Sequence, residues 1–258
     1  MSSAAPHDNF TLKEEIRAYW SARAESFDLS YGHAIKSDRE LRAFQRLLRD
    51  SFGAEPLDVL DLACGTGEIT RALLSLKHRV TALDFSETML ERARAKHGKA
   101  ARFRLGDAEN LLDADDSYDA LITRHLVWTL TDPEAAFTQW FRVLRPGGRL
   151  LVIDGDWVNR SRWQALVNRF GTWLRDRRGA PAHQIDADTH ASITKRFYFN
   201  EGLSRQRLED MLTAAGFTDI APADYGQVVR AQQMTAPLHD AIRLGSSTRF
   251  ALLARKRA

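Results

Sequence analysis

Residues 59–70 read VLDLACGTGEIT. An apolar β-type run carries Asp61 and passes through Leu62, Ala63, Cys64, Gly65, Thr66 and Gly67. Helical spacing then starts at Glu68 and continues to Leu76. A strand, a glycine-containing turn and a helix in immediate succession bring bare backbone up to a ligand. Gly65 and Gly67 lack the Cβ atoms that would block that approach, and the helix N-terminus behind them offers unpaired N–H groups.

Working outward, the same alternation repeats. LDVLDLA (57–63), RVTALD (79–84), ARFRLGD (101–107), YDALITR (118–124) and RLLVIDGD (149–156) read as strands separated by helical segments. This is the pattern of βαβ units around a parallel sheet. Ser86 is placed to cap ETMLERARAKH, which stops at Gly98; Asp132 and Pro133 open EAAFTQWFRVL, which ends before Arg145-Pro146-Gly147-Gly148. Ser204 caps RQRLEDMLTAA up to Gly216, and FTDI and TRFALLARK supply two further strands. Residues 10–50 hold two amphipathic helical stretches around the aromatic segment Phe27 to Gly32, expected to lie across the open edge of the sheet. Residues 161–178 place Trp163, Leu166, Val167, Phe170 and Leu174 at helical spacing, and Trp163 and Trp173 read as core. The expected architecture is α/β: a Rossmann-like, seven-stranded, mostly parallel sheet with flanking helices. Residues 1–50 form an N-terminal helical cover, and 51–258 form the main domain with a helical insertion after the fifth strand at about 157–202.

The 258 residues suit one α/β domain with an added segment, and 44% hydrophobic and 28% charged residues are ordinary for a globular chain. The 37 Lys and Arg face 34 Asp and Glu, so the net charge of +3 disfavours a nucleic-acid footprint. Arg175, Arg177 and Arg178 are the one local basic excess. The single Cys64 excludes an intrachain disulfide and a multi-cysteine metal site, so no metal is expected. MSSAAPHDNF has no signal-peptide pattern and no apolar run reaches membrane length, so a cytoplasmic location and no membrane association are expected.

Two further carboxylates mark the carboxyl edge of the sheet, where open α/β sheets bind ligands. Asp84 ends the second strand, where a carboxylate can accept both hydroxyls of an adenosine ribose; Asp107 follows the third, placed to accept from an adenine amino group. At this point VLDLACGTGEIT, TALDFSETMLERA, RLGDAENL, YDALITRHLVWTL and RVLRPGGRLLVID resemble the successive motifs of class I S-adenosylmethionine-dependent methyltransferases. The likeness is to the small-molecule branch that includes ubiquinone and menaquinone biosynthesis enzymes. It implies that Asp61, Gly65 and Gly67 hold the amino-acid part of S-adenosylmethionine and Asp84 its ribose. Phe85 and Met89 would flank the adenine, Asp107 and Ala108 touch its amino edge, and Thr123 and Arg124 lie along the methionine part. Ala63 stands where that family usually has glycine, which disfavours positive φ at a cofactor-binding turn. A dinucleotide dehydrogenase would want a third glycine where this chain has Thr70.

The resemblance implies transfer of a methyl group to an O, N or C atom of a small-molecule acceptor, with release of S-adenosylhomocysteine. A tRNA or other macromolecule methyltransferase and a non-catalytic cofactor-binding subunit are the alternatives. The protein's share of such a displacement is alignment and exclusion of water, plus a base where the acceptor must lose a proton. His125, just past the fourth strand, and His33 in YGHAI are the candidate catalytic histidines. Asp154, Asp156 and Trp157, after the fifth strand, are candidates for the acceptor. Tyr19, Trp20, Arg23 and Tyr31 could close over the cofactor as a lid, Tyr31 reaching the acceptor, while the loop Gly179 to Thr189 would order on ligand binding.

Overall fold

In the computed structural model, which describes residues 6–159, 161–177 and 192–258, the strands are β1 (Asp58–Leu62), β2 (Arg79–Asp84), β3 (Arg102–Leu105), β4 (Tyr118–Arg124), β5 (Leu144–Asp156), β6 (Thr218–Pro222) and β7 (Thr248–Arg255). They form one sheet in the order β3-β2-β1-β4-β5-β7-β6. Every pairing from β3 to β5 is parallel, and β7 runs antiparallel to both β5 and β6. The chain turns back between β1 and β4, and that reversal opens a crevice beyond their carboxyl ends.

Alternation of side chains along the strands divides the core into two layers. Leu60, Leu62, Leu121, Leu150 and Val152 pack against Phe137 and Trp140 of α5 (Pro133–Val143) and Leu208 and Leu212 of α7 (Arg205–Ala214). Val59, Ala120, Ile122, Leu151 and Ile153 face the other way. They meet Phe44 and Leu47 of α2 (Asp38–Phe52), Ile69 and Leu73 of α3 (Glu68–Ser75), and Val228 of α8 (Gly226–Thr235). The helix starts are built as the sequence reads: Ser86 accepts from Met89 N–H at α4 (Glu87–His97), Asp132 from Ala135 N–H at α5, and Ser204 from Arg207 N–H at α7. Each satisfies one of the orphan donors of a first turn.

Three expectations need correction. Of the two N-terminal helices, α1 (Pro6–Arg23) lies over the carboxyl end of the sheet, where Leu12 and Ile16 pack with Phe85, Trp128 and Phe197. Helix α2 instead joins the layer on the sheet face, because Phe44, Leu47, Leu48 and Phe52 form an apolar stripe that β1 and α3 bury. The helix after β5, α6 (Arg162–Arg177), leaves Trp163, Leu166, Phe170 and Trp173 exposed, so both tryptophans lie outside the core. On it Arg177 sits over the Trp173 ring at 4.5 Å. Arg178, the side chains of Arg175 and Leu174, and the loop Gly179 to Thr189 lie outside the described residues. Lastly, two helices precede β7 that the sequence pattern does not announce, α8 and α9 (Leu238–Gly245). No described helix is long and apolar enough to cross a membrane.

Candidate functional site

The carboxyl ends of β1, β2 and β4 supply the floor of a cavity of about 520 Å³. Asp61, Ala63, Gly65, Asp84, Phe85 and Met89 line one part of it; Arg23, Tyr31, His33, Arg124, His125 and Trp157 line the rest. A narrow extension shares Ala63, Asp84 and Phe85 with this cavity and reaches Gly106, Asp107 and Ala108. The sequence-chosen residues at the ends of β1, β2 and β3 are thus brought along one continuous groove.

The turn after β1 is held by its own geometry. Ala63 has φ 55°, Gly65 φ 55° and Gly67 φ 85°, the left-handed region that costs a residue with a Cβ. A Cβ on Gly67 would stand 2.8 Å from the His97 ring, so this position is closed to side chains twice over. Ala63 pays the conformational cost alone, which fits the reading of this position as a departure. Ala63→Gly is expected to stabilise the protein by about 0.5–1 kcal/mol, seen as a rise in melting temperature of a few degrees; a lower one would show that the Ala63 methyl contributes packing that outweighs its strain.

Buried carboxylates tie the turn to the strands. Asp61 accepts from the Thr70 hydroxyl at 2.6 Å, and burial pushes it up to about 7 against the pull of Thr70 and Arg124. Asp84 accepts from Gly65 N–H at 2.8 Å and Ser86 N–H at 2.9 Å. Burial raises it to about 6, with those backbone donors opposing. An ionised carboxylate has about four lone-pair sites, so these bonds leave acceptor capacity on both oxygens. Met89 is buried beneath, at the start of α4. At the far end Lys13 of α1 bridges Asp107 and Glu109, each at 2.7 Å, and Ala108 C=O accepts from Trp140 Nε1 at 2.8 Å. Lys13 carried no motif, and only the packing of α1 brings it to β3.

At the other end, Arg124 donates to His33 C=O and lies over the Phe44 ring at 5.5 Å. His125 holds φ 62° and is fixed by Ile153 C=O, which accepts its N–H at 2.8 Å, and by the Trp157 ring at 5.1 Å. A left-handed residue with a large side chain persists only where its surroundings determine it, and such strain clusters at sites. Burial, then Arg124 and Arg249, hold the His125 imidazole well below its usual range. His33 stacks on Phe27 at 4.3 Å, with Nδ1 3.2 Å from Phe27 C=O, and burial with Arg124 and Arg23 takes it down to about 3. Both rings are therefore held neutral and weakly basic, which does not favour either candidate histidine as a general base.

Arg23 donates to the Tyr19 hydroxyl at 2.6 Å and stacks over Tyr19 and Trp20. It lines the cavity with Trp20 and Tyr31, whose ring carries Lys36 at 4.3 Å. Tyr19 stands behind Arg23 rather than on the cavity wall. Four more sequence choices are drawn away from the cavity. Thr123 is fully buried and donates to Leu62 C=O at 3.1 Å, since alternation along β4 sends it into the sheet while Arg124 faces the cavity. Asp154 is fully buried and accepts from Gly155 N–H and Trp157 Nε1, so it orients Trp157 instead of meeting an acceptor. Asp156 caps the turn through Val158 and Asn159 N–H. Gly67 faces α4. Conversely, Trp128, His239, Asp240, Arg243 and Arg249 line the cavity without any sequence signal, because the short 3-10 turn Val127–Thr129, α9 and the start of β7 carry no chemistry-bearing motif. Among the described residues no cluster of His, Cys, Asp and Glu could hold a metal ion.

Comparison with known proteins agrees with this geometry. Residues 60–152 match the methyltransferase domain family. The chain is 34% identical over 142 residues to the malonyl-[acyl-carrier protein] O-methyltransferase of Hahella chejuensis, covering 54% of this chain but only 49% of that protein, so it spans about half that relative's length. It is 27% identical to the ubiquinone/menaquinone biosynthesis C-methyltransferase of Rubrivivax gelatinosus over 83% of both chains. Among solved structures, 1,6-didemethyltoxoflavin-N1-methyltransferase of Burkholderia thailandensis superposes with a TM-score of 0.60 at 19% identity, over 100% of this chain and 93% of that one, and shares the fold. Through residues 60–152 and the sheet built around them, the chain carries a class I methyltransferase domain resembling that of the ubiquinone/menaquinone biosynthesis C-methyltransferases.

Proposed function

We propose that this protein is an S-adenosylmethionine-dependent methyltransferase acting on an O, N or C atom of a small-molecule acceptor. The observation that carries the reading is the continuous groove from the Gly65 turn past Asp84 to Asp107, which widens at its other end into an aromatic and basic chamber. The residues present suit the donor: bare backbone at Gly65, a desolvated carboxylate at Asp84 with acceptor capacity to spare, and apolar walls at Phe85 and Met89. When bound, S-adenosylmethionine supplies a methyl group on a sulfonium, which leaves readily. The chain's own part is to seat the amino-acid end by Asp61 and Gly65, hold the ribose by Asp84, take the adenine edge at Asp107 and Ala108, and align the acceptor while excluding water. Residues 6–37 and α6, which brings Asn168 and Gly171 to the wall, serve in this reading as the cover of the acceptor chamber, with Arg23 and Tyr31 on its lining.

Calorimetry with S-adenosylhomocysteine tests the donor site, and release of S-adenosylhomocysteine in an acceptor screen tests transfer. Binding of a nicotinamide dinucleotide in place of S-adenosylhomocysteine would overturn the reading. The pH dependence is a sharper check. Asp84 has its pKa raised to about 6 and binds hydroxyls as the ionised group, so affinity is full above that value and is lost as pH falls through it. Each pH unit below about 6 is expected to cost up to about tenfold in S-adenosylhomocysteine affinity. A flat profile between pH 8 and 5 would exclude Asp84 as the titrating contact.

A further inference from the structure

Arg249, on β7, is among the most deeply buried cations on the cavity wall and has no carboxylate partner among the described residues. Its Nη1 donates to Gln232 Oε1 at 3.4 Å, its guanidinium lies 5.5 Å from the Trp157 ring, and its buried Nε has no hydrogen-bond partner. The other arginine of this end, Arg243, is paired with Asp240 at 3.1 Å. Arg124 gives its hydrogen bond to a carbonyl and also leaves a buried Nη1 without a partner. The cavity wall therefore presents two guanidinium groups with spare donors; Arg124 faces the carboxylate of Asp61, whereas Arg249 forms no ion pair among the described residues.

A buried unpaired charge is costly, and a guanidinium cannot escape the cost by losing its proton at physiological pH. Burial, then Arg243 and Arg124, weaken the proton affinity of Arg249, while the neighbouring Tyr225 hydroxyl acts the other way. The donor of the proposed reaction makes the imbalance worse, since its sulfonium and ammonium outnumber its one carboxylate. The backbone at Gly32 packs closely against the Arg249 guanidinium. A Cβ on Gly32 would lie 3.3 Å from both of its terminal nitrogens, so Gly32, at φ 95°, is what lets the Phe27 to His33 segment close against the guanidinium. Beside it Trp157 stands edge-on to His125 at 5.1 Å and to Trp128 at 6.5 Å, a wall of ring faces and edges suited to a planar molecule.

Building on the methyl-transfer reading, we infer that the acceptor is a small aromatic molecule bearing an anionic group, a carboxylate or a phosphate, which sits on Arg249 while its ring rests against Trp157. A planar guanidinium donates to either anion in pairs, and hydrogen bonds to charged groups are roughly twice as strong as neutral ones. The anion satisfies the orphaned donors, and the ring places the rest of the molecule toward His125.

The test uses the full chain saturated with S-adenosylhomocysteine, titrated by calorimetry with 4-hydroxybenzoate, phenyl phosphate and the neutral 4-hydroxybenzamide. At least one anion is expected to bind about tenfold or more tighter than the amide, and which of the two does so distinguishes carboxylate from phosphate. Arg249→Gln is expected to bring the anions down to the amide, with S-adenosylhomocysteine affinity kept. Should that variant melt early, Arg249→Lys carries the test. It keeps the charge but not the paired donors, and has to weaken the preferred anion while leaving the amide unchanged. The inference is overturned when neither anion binds better than the amide, or when the preference survives both substitutions. A wild-type protein that fails to bind S-adenosylhomocysteine sinks the donor reading instead, and the anions titrated without it still decide the role of Arg249.

Discussion

His125→Ala is expected to lower methyl-transfer turnover by about 10²-fold while leaving S-adenosylhomocysteine affinity unchanged, the scale on which a misplaced reactant loses rate. The residue is fixed at every point: its N–H to Ile153 C=O, its C=O to Trp128 Nε1 at 3.0 Å, its ring against Trp157, its backbone at φ 62°. It follows Arg124 at the carboxyl end of β4, where the proposed donor and acceptor meet. Because its pKa is depressed, the neutral ring prevails above that lowered value, so turnover should not fall as pH passes down through 6.5 on its account. The ring is therefore expected to orient the acceptor by a hydrogen bond. His125→Asn, which tolerates the left-handed backbone, should retain much of kcat and chiefly raise the acceptor KM. An acidic limb near 6.5 that vanishes in His125→Asn would reinstate a general base, whose removal costs about 10² to 10⁴. Unaltered kcat and KM in His125→Ala would leave the residue with a structural role only.

Asp84→Ala should weaken S-adenosylhomocysteine binding by about 1.5–3 kcal/mol, or roughly 10- to 150-fold, the range for a hydrogen bond to a charged group. Removing the carboxylate takes away the proposed ribose contacts and also unties Gly65 N–H, which it holds at 2.8 Å. Asp84→Asn should be nearly as damaging. Its amide presents a donor toward either Gly65 N–H or Ser86 N–H, where both backbone groups already donate. Calorimetry on both variants, with cooperative melting as a control for folding, reads the effect. Unchanged affinity in Asp84→Ala would take Asp84 out of the donor site.

Much of this was legible from local chemistry. β2 and β4 have the bounds that RVTALD and YDALITR mark, because strands buried on both faces read as unbroken apolar runs between polar punctuation. The glycine turn, Asp61, Asp84 and Asp107 were legible because a strand end followed by a helix start fixes where those side chains emerge, whatever surrounds them. The antiparallel β7 was visible as a terminal β-type run. Thr123, Asp154 and Asp156 were misjudged for one shared reason: position at a strand end says that a residue is near the crevice, and only the pleat and the turn decide which way it faces.

The βαβ order, the glycine turn after β1 and the carboxylates at the sheet edge are set by local sequence, since each depends on residues close together in the chain. The chamber proposed for the acceptor is a product of tertiary packing. Arg249 on β7, Arg243 on α9, Trp157 after β5 and Tyr31 before α2 come from four separate segments. Their convergence, the depression of the His125 and His33 pKa values and the lack of an ion pair at Arg249 among the described residues follow from burial and from neighbours far apart in sequence, which no local pattern encodes.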